Sequence, residues 1–172
     1  QTFKRNFPKA KAICGDLQTF DNKKILKEFG GLSIDVIVGG PPCQGFSSAN
    51  RWHKEKEDSR NKLFFDFLRF VSVLKPQVVL IENVRGILTR DSGFAKKRIE
   101  ELVVELGYQI SSEVLNASDF GVPQNRFRAF FVATKKNKVK GKFDFTDLKK
   151  LPPVNVKDAI GELYDFNEEG AD

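Results

Sequence analysis

Short apolar runs alternate with amphipathic segments along most of this chain. Apolar runs predict strands at residues 10–14, 34–38, 78–81, 108–115 and 129–134. Apolar side chains at helical spacing predict helices at residues 20–29, 63–74 and 94–106. Strands that alternate with helices favour a mostly parallel sheet covered on both faces, in a doubly wound α/β domain.

The last two predicted strands, 108–115 and 129–134, have no helical pattern between them. We therefore expect an antiparallel hairpin at one edge of the sheet. Residues 41–59 are mostly polar and predict a long loop between the second strand and the second helix.

One cysteine stands in a stiff turn directly after a predicted buried strand. Cys43 follows Pro41 and Pro42, which fix the backbone, and glycines on both sides of it let other groups approach closely. This placement is typical of a nucleophile. The alternative is a small buried side chain, which is the commoner role of a free cysteine.

Other polar residues also follow predicted strands. Asp16, Cys43 and Glu82 each come just after one, and ligands of open α/β sheets bind outside the carboxyl ends of the strands. Arg126 and Arg128 share one face of an extended segment and could clamp an anionic or carbonyl-rich ligand. The alternatives are a solvated acid for Glu82 and an edge strand protected by charge for the two arginines.

Composition limits the choice of class. With 172 residues, 40% hydrophobic and 17 phenylalanines, the chain can bury one sizeable core. Two cysteines and one histidine are too few for a disulfide framework or a zinc site, so we expect no metal. No apolar run approaches the roughly 20 residues of a membrane span, and the chain starts without a signal-peptide pattern. These features predict a soluble, cytoplasmic protein, where a reactive thiol stays reduced.

The charge points to an anionic partner. The net charge is +6 and the isoelectric point is near 9.3, although lysine-rich surfaces are often merely solvated. Basic side chains follow the cysteine closely, at Arg51, His53, Lys54, Lys56, Arg60 and Lys62. A phosphate backbone would lie there if the target of the thiol were a base.

Four motifs then occur in a fixed order along the chain. They are Cys14-Gly15-Asp16, Pro41-Pro42-Cys43-Gln44, Glu82-Asn83-Val84 and Gln124-Asn125-Arg126-Phe127-Arg128. In order and approximate spacing the chain resembles the cytosine-5 DNA methyltransferases over nearly its whole length. The resemblance implies a Rossmann-like fold of the S-adenosylmethionine-dependent methyltransferase type.

The resemblance also implies catalytic roles. Cys43 would be the thiolate that adds to carbon 6 of cytosine. Glu82 would donate a proton or hydrogen bond at ring nitrogen 3, and burial beside the base would raise its pKa. Arg128 would bind the carbonyl oxygen of the base. Arg126 would lie near the thiol and lower its pKa.

Contacts to DNA and cofactor follow from the same resemblance. The target cytosine must leave the duplex stack, and the segment 44–60 is a candidate to close over it. We expect phosphate or duplex contacts from Gln44, Ser47 and Arg60. The implied methyl donor is S-adenosylmethionine, for which the matching positions are Asp16 at the adenine amino group, Leu17 against the adenine ring, and Pro42 and Leu63 nearby.

Two parts of the family pattern are absent from this sequence. It lacks the Phe-x-Gly-x-Gly loop for the methionine end of the cofactor, and it stops soon after a segment that resembles the approach to a target-recognition domain. We therefore expect a truncated form, with residues 1–150 as a partial catalytic domain and 151–172 as a connecting segment. Such a chain would have little activity alone, could associate with a complementary chain or itself, and would belong to a restriction-modification system.

Three other functions stay open. An RNA cytosine-5 methyltransferase would use the same catalytic residues. A non-catalytic nucleic-acid-binding fragment or subunit would fit the basic charge. A thiol oxidoreductase ranks lowest because the sequence contains no Cys-x-x-Cys pair.

Overall fold

A computed structural model describes residues 2–43 and 62–165 of the chain. The helices are α1 (Thr2–Asn6), α2 (Asn22–Phe29), α3 (Lys62–Leu74), α4 (Arg90–Glu105) and α5 (Val156–Ile160). The strands are β1 (Val36–Gly39), β2 (Val78–Val84), β3 (Tyr108–Asn116) and β4 (Phe127–Lys135). Short 3-10 turns lie at Leu17–Thr19, Arg85–Leu88, Ala117–Phe120, Phe145–Asp147 and Gly161–Asp165.

The four strands form one sheet in the order β1-β2-β4-β3. β1 and β2 are parallel, whereas β4 is antiparallel to both of its neighbours, β2 and β3. Three strands therefore point in one direction and β4 in the other. The predicted α/β class, the mostly parallel sheet and the antiparallel hairpin at one edge are confirmed.

The hydrophobic core lies on one face of this sheet. Gly39 of β1 faces α3, since a Cβ atom built on it would lie 2.5 Å from the ring of Phe67. One buried cluster contains alternate strand residues together with apolar side chains of both long helices. Its members include Val79, Ile81, Ile110, Phe131 and Ala133 from the strands, Phe64, Phe67 and Val71 from α3, and Ile99 and Val103 from α4. Both α3 and α4 therefore pack on the same face.

The opposite face is covered unevenly. Over β3 and β4 it is crossed by residues 139–143, whose carbonyls accept hydrogen bonds from Ser111 Oγ at 2.7 Å and Thr134 Oγ1 at 3.0 Å. Over β1, in contrast, Val36 and Val38 are 51% and 65% exposed. Within the described part of the chain, the expected cover on both faces is therefore incomplete at β1.

Residues 10–14 do not form the predicted strand. They have no regular secondary structure and no ladder partners among the described residues, and Ile13 is 41% exposed. An apolar run becomes a strand only when a neighbouring backbone pairs with its N–H and C=O groups. The prediction of a strand there is wrong for this structure.

The start of α4 also departs from regular helix. Asp91, Ser92 and Gly93 have φ values of 54°, 57° and 74°, so three consecutive residues are left-handed. Regular helical backbone resumes at Phe94, which is where the apolar periodicity predicts the helix to begin. None of the helices in residues 2–43 and 62–165 is long and apolar enough to cross a membrane.

Candidate active site

The turn after β1 lies against the end of β2. The parallel register pairs Gly39 with Ile81, so both strands end at the same rim of the sheet. A Cβ atom on Gly40 would lie 3.3 Å from Glu82 Oε2, which means that a glycine lets the turn approach the carboxylate closely. Two of the three predicted strand-end residues, Glu82 and the Cys43 of this turn, are thus neighbours in the fold.

Cys43 is held in this turn by a shared carbonyl. Its Sγ donates to the carbonyl of Pro41 at 3.3 Å, and Asn83 Nδ2 donates to the same carbonyl at 2.9 Å. Only 3% of Cys43 is exposed, and it belongs to the hydrophobic core cluster. The site thus joins the loop after β1 to the second residue of the Glu-Asn-Val motif, for which the sequence suggested no role.

Burial raises the pKa of the Cys43 thiol to about 12, and the hydrogen bond with Asn83 opposes this shift only in part. The expectation that a nearby cation lowers this pKa is therefore wrong for the described state. The physical reason is that the sulfur is surrounded by apolar side chains, where the thiolate form is disfavoured.

The two cysteines should differ strongly in reactivity. Because Cys14 is exposed and Cys43 is buried with a raised pKa, we expect iodoacetamide at pH 8 to modify Cys14 at least about a hundredfold faster in the folded chain. The rate at Cys43 should rise with pH, since the thiolate fraction increases up to the pKa near 12. Peptide mass spectrometry measures both rates, and the urea-unfolded chain is the control. Equal rates in the folded chain would contradict the burial of Cys43.

Glu82 forms an ion pair across two strands. The antiparallel register pairs Val84 with Arg128, and this brings Arg128 Nε to 2.9 Å from Glu82 Oε1. Arg128 also donates from Nη1 to the carbonyl of Phe127 at 2.8 Å. The Glu82 side chain is 39% exposed.

A cavity of about 440 Å³ opens beside this ion pair. Glu82, Arg126 and Arg128 supply its charged groups. The other lining residues are apolar: Leu115, Ala117, Phe120, Phe130 and Leu148. Apolar walls with a few convergent polar groups suit a flat, hydrogen-bonding ring. Cys43 is not among the residues that line it, but Gly40 of the same turn approaches Glu82.

A second cavity, of about 500 Å³, lies on the other side of the turn after β1. Leu17, Pro42 and Leu63 all line it, so the structure brings together three of the four predicted cofactor residues. Asp16 directly precedes Leu17 in the chain. Its Oδ1 accepts from the N–H of Gln18 at 2.9 Å and caps the 3-10 turn.

This second cavity fits the adenine end of a nucleoside cofactor. Its walls are almost entirely apolar and include the rings of Phe29, Phe67 and Phe70, which suits the faces of a purine. The exposed Asp16 carboxylate at its edge can accept from an exocyclic amine.

Arg85 and Phe127 also lie near the rim, and the sequence suggested a role for neither. Arg85 lies 5.5 Å from the centre of the Phe127 ring, and both line a groove with Arg126 beside the ion pair. The only signal for Arg85 was its position directly after Glu-Asn-Val.

The predicted DNA contacts Gln44, Ser47 and Arg60 lie outside the described residues.

Comparison with known proteins places the chain in a family. The model of the C-5 cytosine-specific DNA methylase family matches residues 1–170. The chain belongs to this family. It is 37% identical over 167 residues to the type II methyltransferase M1.HphI of Haemophilus parahaemolyticus, covering 96% of this chain and 44% of that protein. It is 41% identical over 142 residues to the type II methyltransferase M.DdeI of Desulfomicrobium norvegicum, and the match covers 80% of this chain and 33% of that protein.

Solved structures agree with this family. A DNA modification methyltransferase encoded within an Escherichia coli prophage matches with a TM-score of 0.73 and 36% identity, over 92% of this chain and 44% of that one. The Dnmt2 methyltransferase of S. pombe matches with a TM-score of 0.58 and 21% identity, which shows the fold alone. The expected methyltransferase type of fold is confirmed. The chain spans less than half the length of these C-5 cytosine methylase relatives.

Proposed function

We propose that this chain forms the central catalytic part of an enzyme that transfers a methyl group from S-adenosylmethionine to carbon 5 of cytosine in duplex DNA, within a restriction-modification system. The observation that carries the proposal is the convergence of Glu82, Arg126 and Arg128 on one cavity beside the turn that bears Cys43. Membership in the C-5 cytosine methylase family supports it.

Cys43 is the proposed nucleophile. Carbon 5 of cytosine is a weak nucleophile, so the thiolate first adds to carbon 6 and turns the ring into an enamine. S-adenosylmethionine, when bound, supplies the electrophilic methyl group that carbon 5 takes up. The transfer releases S-adenosylhomocysteine. Water then takes the proton from carbon 5, and loss of the thiolate from carbon 6 restores the aromatic ring. For this cycle Cys43 must leave its apolar surroundings and lose its proton.

Glu82 and Arg128 are proposed to exchange partners when the base enters. When Arg128 leaves it, the Glu82 carboxylate takes up a proton from water, and the resulting carboxyl donates to ring nitrogen 3, which carries the negative charge created by thiolate addition. Arg128, now 2.9 Å from that carboxylate, turns to the carbonyl oxygen of the ring. Arg126 lies two residues before Arg128, directly ahead of β4, and adds positive charge to the lining of the cavity.

The apolar cavity is the proposed cofactor site. Leu17 would pack against the adenine ring, Pro42 and Leu63 line the same cavity near it, and Asp16 would accept from the amino group. The turn that carries Pro42 also carries Cys43. The methyl donor, bound beside Pro42, and the nucleophile Cys43 would therefore both reach the cytosine ring from this one turn.

Duplex DNA is the proposed substrate. The cytosine must be flipped out of the stack to reach Glu82, at a cost of a few kcal/mol. The groove of Arg85, Arg126 and Phe127 lies next to the base cavity and can receive the phosphates that flank the flipped nucleotide. Gln44, Ser47 and Arg60 stay predicted DNA contacts.

A chimera tests this function directly. This chain would replace the segment that it matches in M1.HphI, and transfer of tritiated methyl groups to mixed-sequence duplex DNA would be measured. We expect transfer, and a covalent complex with DNA that contains 5-fluorocytosine. A folded chimera without either activity would contradict the proposal. Trapping on 5-fluorocytosine RNA in place of DNA would favour the RNA enzyme.

The exposed side of β1 supports association with another chain or a second copy. Among the described strands β1 pairs only with β2, so β1 is an edge strand, and its Val36 side chain is 51% exposed. We expect Val36→Lys to shift the chain toward monomer in sedimentation velocity. Val104→Lys, at an exposed valine of α4, is the matched control. A wild-type chain that is monomeric at all accessible concentrations would exclude self-association.

A further inference from the structure

An ion pair on α3 between a buried aspartate and a partly exposed arginine takes no part in the catalytic chemistry above. Arg69 Nη1 lies 3.0 Å from Asp66 Oδ1, and the Asp66 side chain is only 6% exposed. Asp66 Oδ2 and Arg69 Nε are buried without a hydrogen-bond partner. Burying such a pair costs desolvation that its own attraction repays poorly. The pair is therefore a weak source of stability, and we look for its role in the other contact of Arg69.

Arg69 reaches a residue far away along the chain. Its Nη2 donates to the carbonyl of Leu17 at 3.0 Å. Leu17 begins the 3-10 turn Leu17–Thr19, which is capped by Asp16, and the N–H of Thr19 donates to the carbonyl of Asp16 at 3.0 Å. A turn of three residues has few hydrogen bonds of its own, so a tie to a long helix sets its position. Asp16 and Leu17 are both joined to α3 through this hydrogen bond.

The same helix forms the facing wall of the apolar cavity. Leu63, Phe67 and Phe70 of α3 line it opposite Leu17. The hydrogen bond from Arg69 to Leu17 therefore fixes the distance between the two walls. The guanidinium can do this because its fork serves two acceptors at once, the carboxylate of Asp66 and the Leu17 carbonyl.

We propose that Arg69, held in place by Asp66, is a positioning residue that sets the Asp16–Leu17 edge of the cavity for the adenine ring of the cofactor. This inference rests on the proposed function, because it assumes that the cavity binds the adenine end. It assigns no contact between Arg69 and the cofactor.

The first experiment compares Arg69→Met with Arg98→Met in the full chain. Arg98 forms an exposed pair with Glu101 at the same i,i+3 spacing, so its variant controls for loss of an arginine. Binding of adenosine and S-adenosylhomocysteine is measured by calorimetry below the unfolding temperature of each variant. We expect Arg69→Met to weaken binding about tenfold, as for the loss of a charge-assisted hydrogen bond, and Arg98→Met to leave it unchanged.

Amide hydrogen exchange tests the hydrogen bond from Arg69 to the Leu17 carbonyl without any ligand. In Arg69→Met the amides of residues 16–20 should exchange faster while those of β2 and β4 stay protected, because only the turn is released. Arg69→Lys keeps the charge near Asp66 but lacks the fork, so it should also release the turn, with a smaller loss of stability. This variant keeps the test open if Arg69→Met does not fold.

The outcomes separate the two proposals. Because the sequence lacks the loop for the methionine end of the cofactor, binding is also measured in the chimera with M1.HphI. A folded chimera that binds neither adenosine nor S-adenosylhomocysteine would overturn the proposed cofactor site, whatever exchange shows. Wild-type binding with unchanged affinity in both Arg69 variants would overturn the positioning role alone. Faster exchange spread over the whole sheet would also overturn it, since Arg69 would then serve only the stability of the fold.

Discussion

Replacing Cys43 with alanine is expected to abolish methyl transfer by the chimera, with a loss of more than about a thousandfold in kcat. Without the sulfur no bond can form at carbon 6, and carbon 5 of the ring stays too weak a nucleophile. The covalent complex with 5-fluorocytosine DNA should disappear as well. Transfer is measured with tritiated S-adenosylmethionine in single-turnover mode, so that binding and chemistry are read separately.

Cys14→Ala is the matched control for this prediction. Cys14 is the second free cysteine, it is exposed, and it lines neither cavity, so its removal should leave transfer unchanged. The Cys43→Ala variant should remain folded, because alanine is smaller than the thiol and fits the same apolar surroundings. Transfer that survives in a folded Cys43→Ala chimera would rule out Cys43 as nucleophile.

The strands of the sheet were predictable because they are nearly continuous apolar runs. Residues 78–81 and 129–134 are central strands that are buried, and the structure extends each by only a few residues. The run at residues 10–14 looks the same in sequence but forms no ladder. A run of apolar residues reports that burial is favourable, and it does not report whether a partner strand lies beside it.

The placement of the helices could not be read from periodicity. The apolar positions of α3 and α4 show that each helix has one buried side, but they do not say which face of the sheet it covers. The structure places both on one face, through Phe67 over Gly39 and Ile99 in the same cluster. Alternation of strands and helices suggested cover on both faces, and only topology decides between these arrangements.

The candidate site was predictable in its residues and less so in its electrostatics. The resemblance to the family implied that Glu82 and Arg128 would lie around one base, and the antiparallel register of β2 and β4 brings them together. The raised pKa of Cys43 depends on side chains that pack around it from distant segments. The tie from Arg69 to Leu17 spans 52 positions and has no local sequence signal.

Glu82→Gln is expected to lower kcat of the chimera by about a hundredfold to a thousandfold, the usual worth of a positioned acid. Glutamine keeps the size of the side chain and can still donate an N–H to ring nitrogen 3, but it has no proton to give up. The loss therefore measures proton donation rather than occupancy of the cavity. Glu82→Gln should lower the single-turnover rate constant more than it lowers the affinity for DNA.

Glu113→Gln is the matched control for Glu82. The register pairs both residues with Phe130, Glu82 from β2 and Glu113 from β3, so both acids lie in one row of the sheet and only Glu82 lines the cavity. We expect Glu113→Gln to keep full activity. Glu82→Gln also leaves Arg128 without its carboxylate, and a fall in the melting temperature would report that loss. If kcat stayed within about twofold of wild type while the melting temperature fell, Glu82 would serve to hold Arg128 and would not be the acid, because a lost proton donor must slow the chemical step.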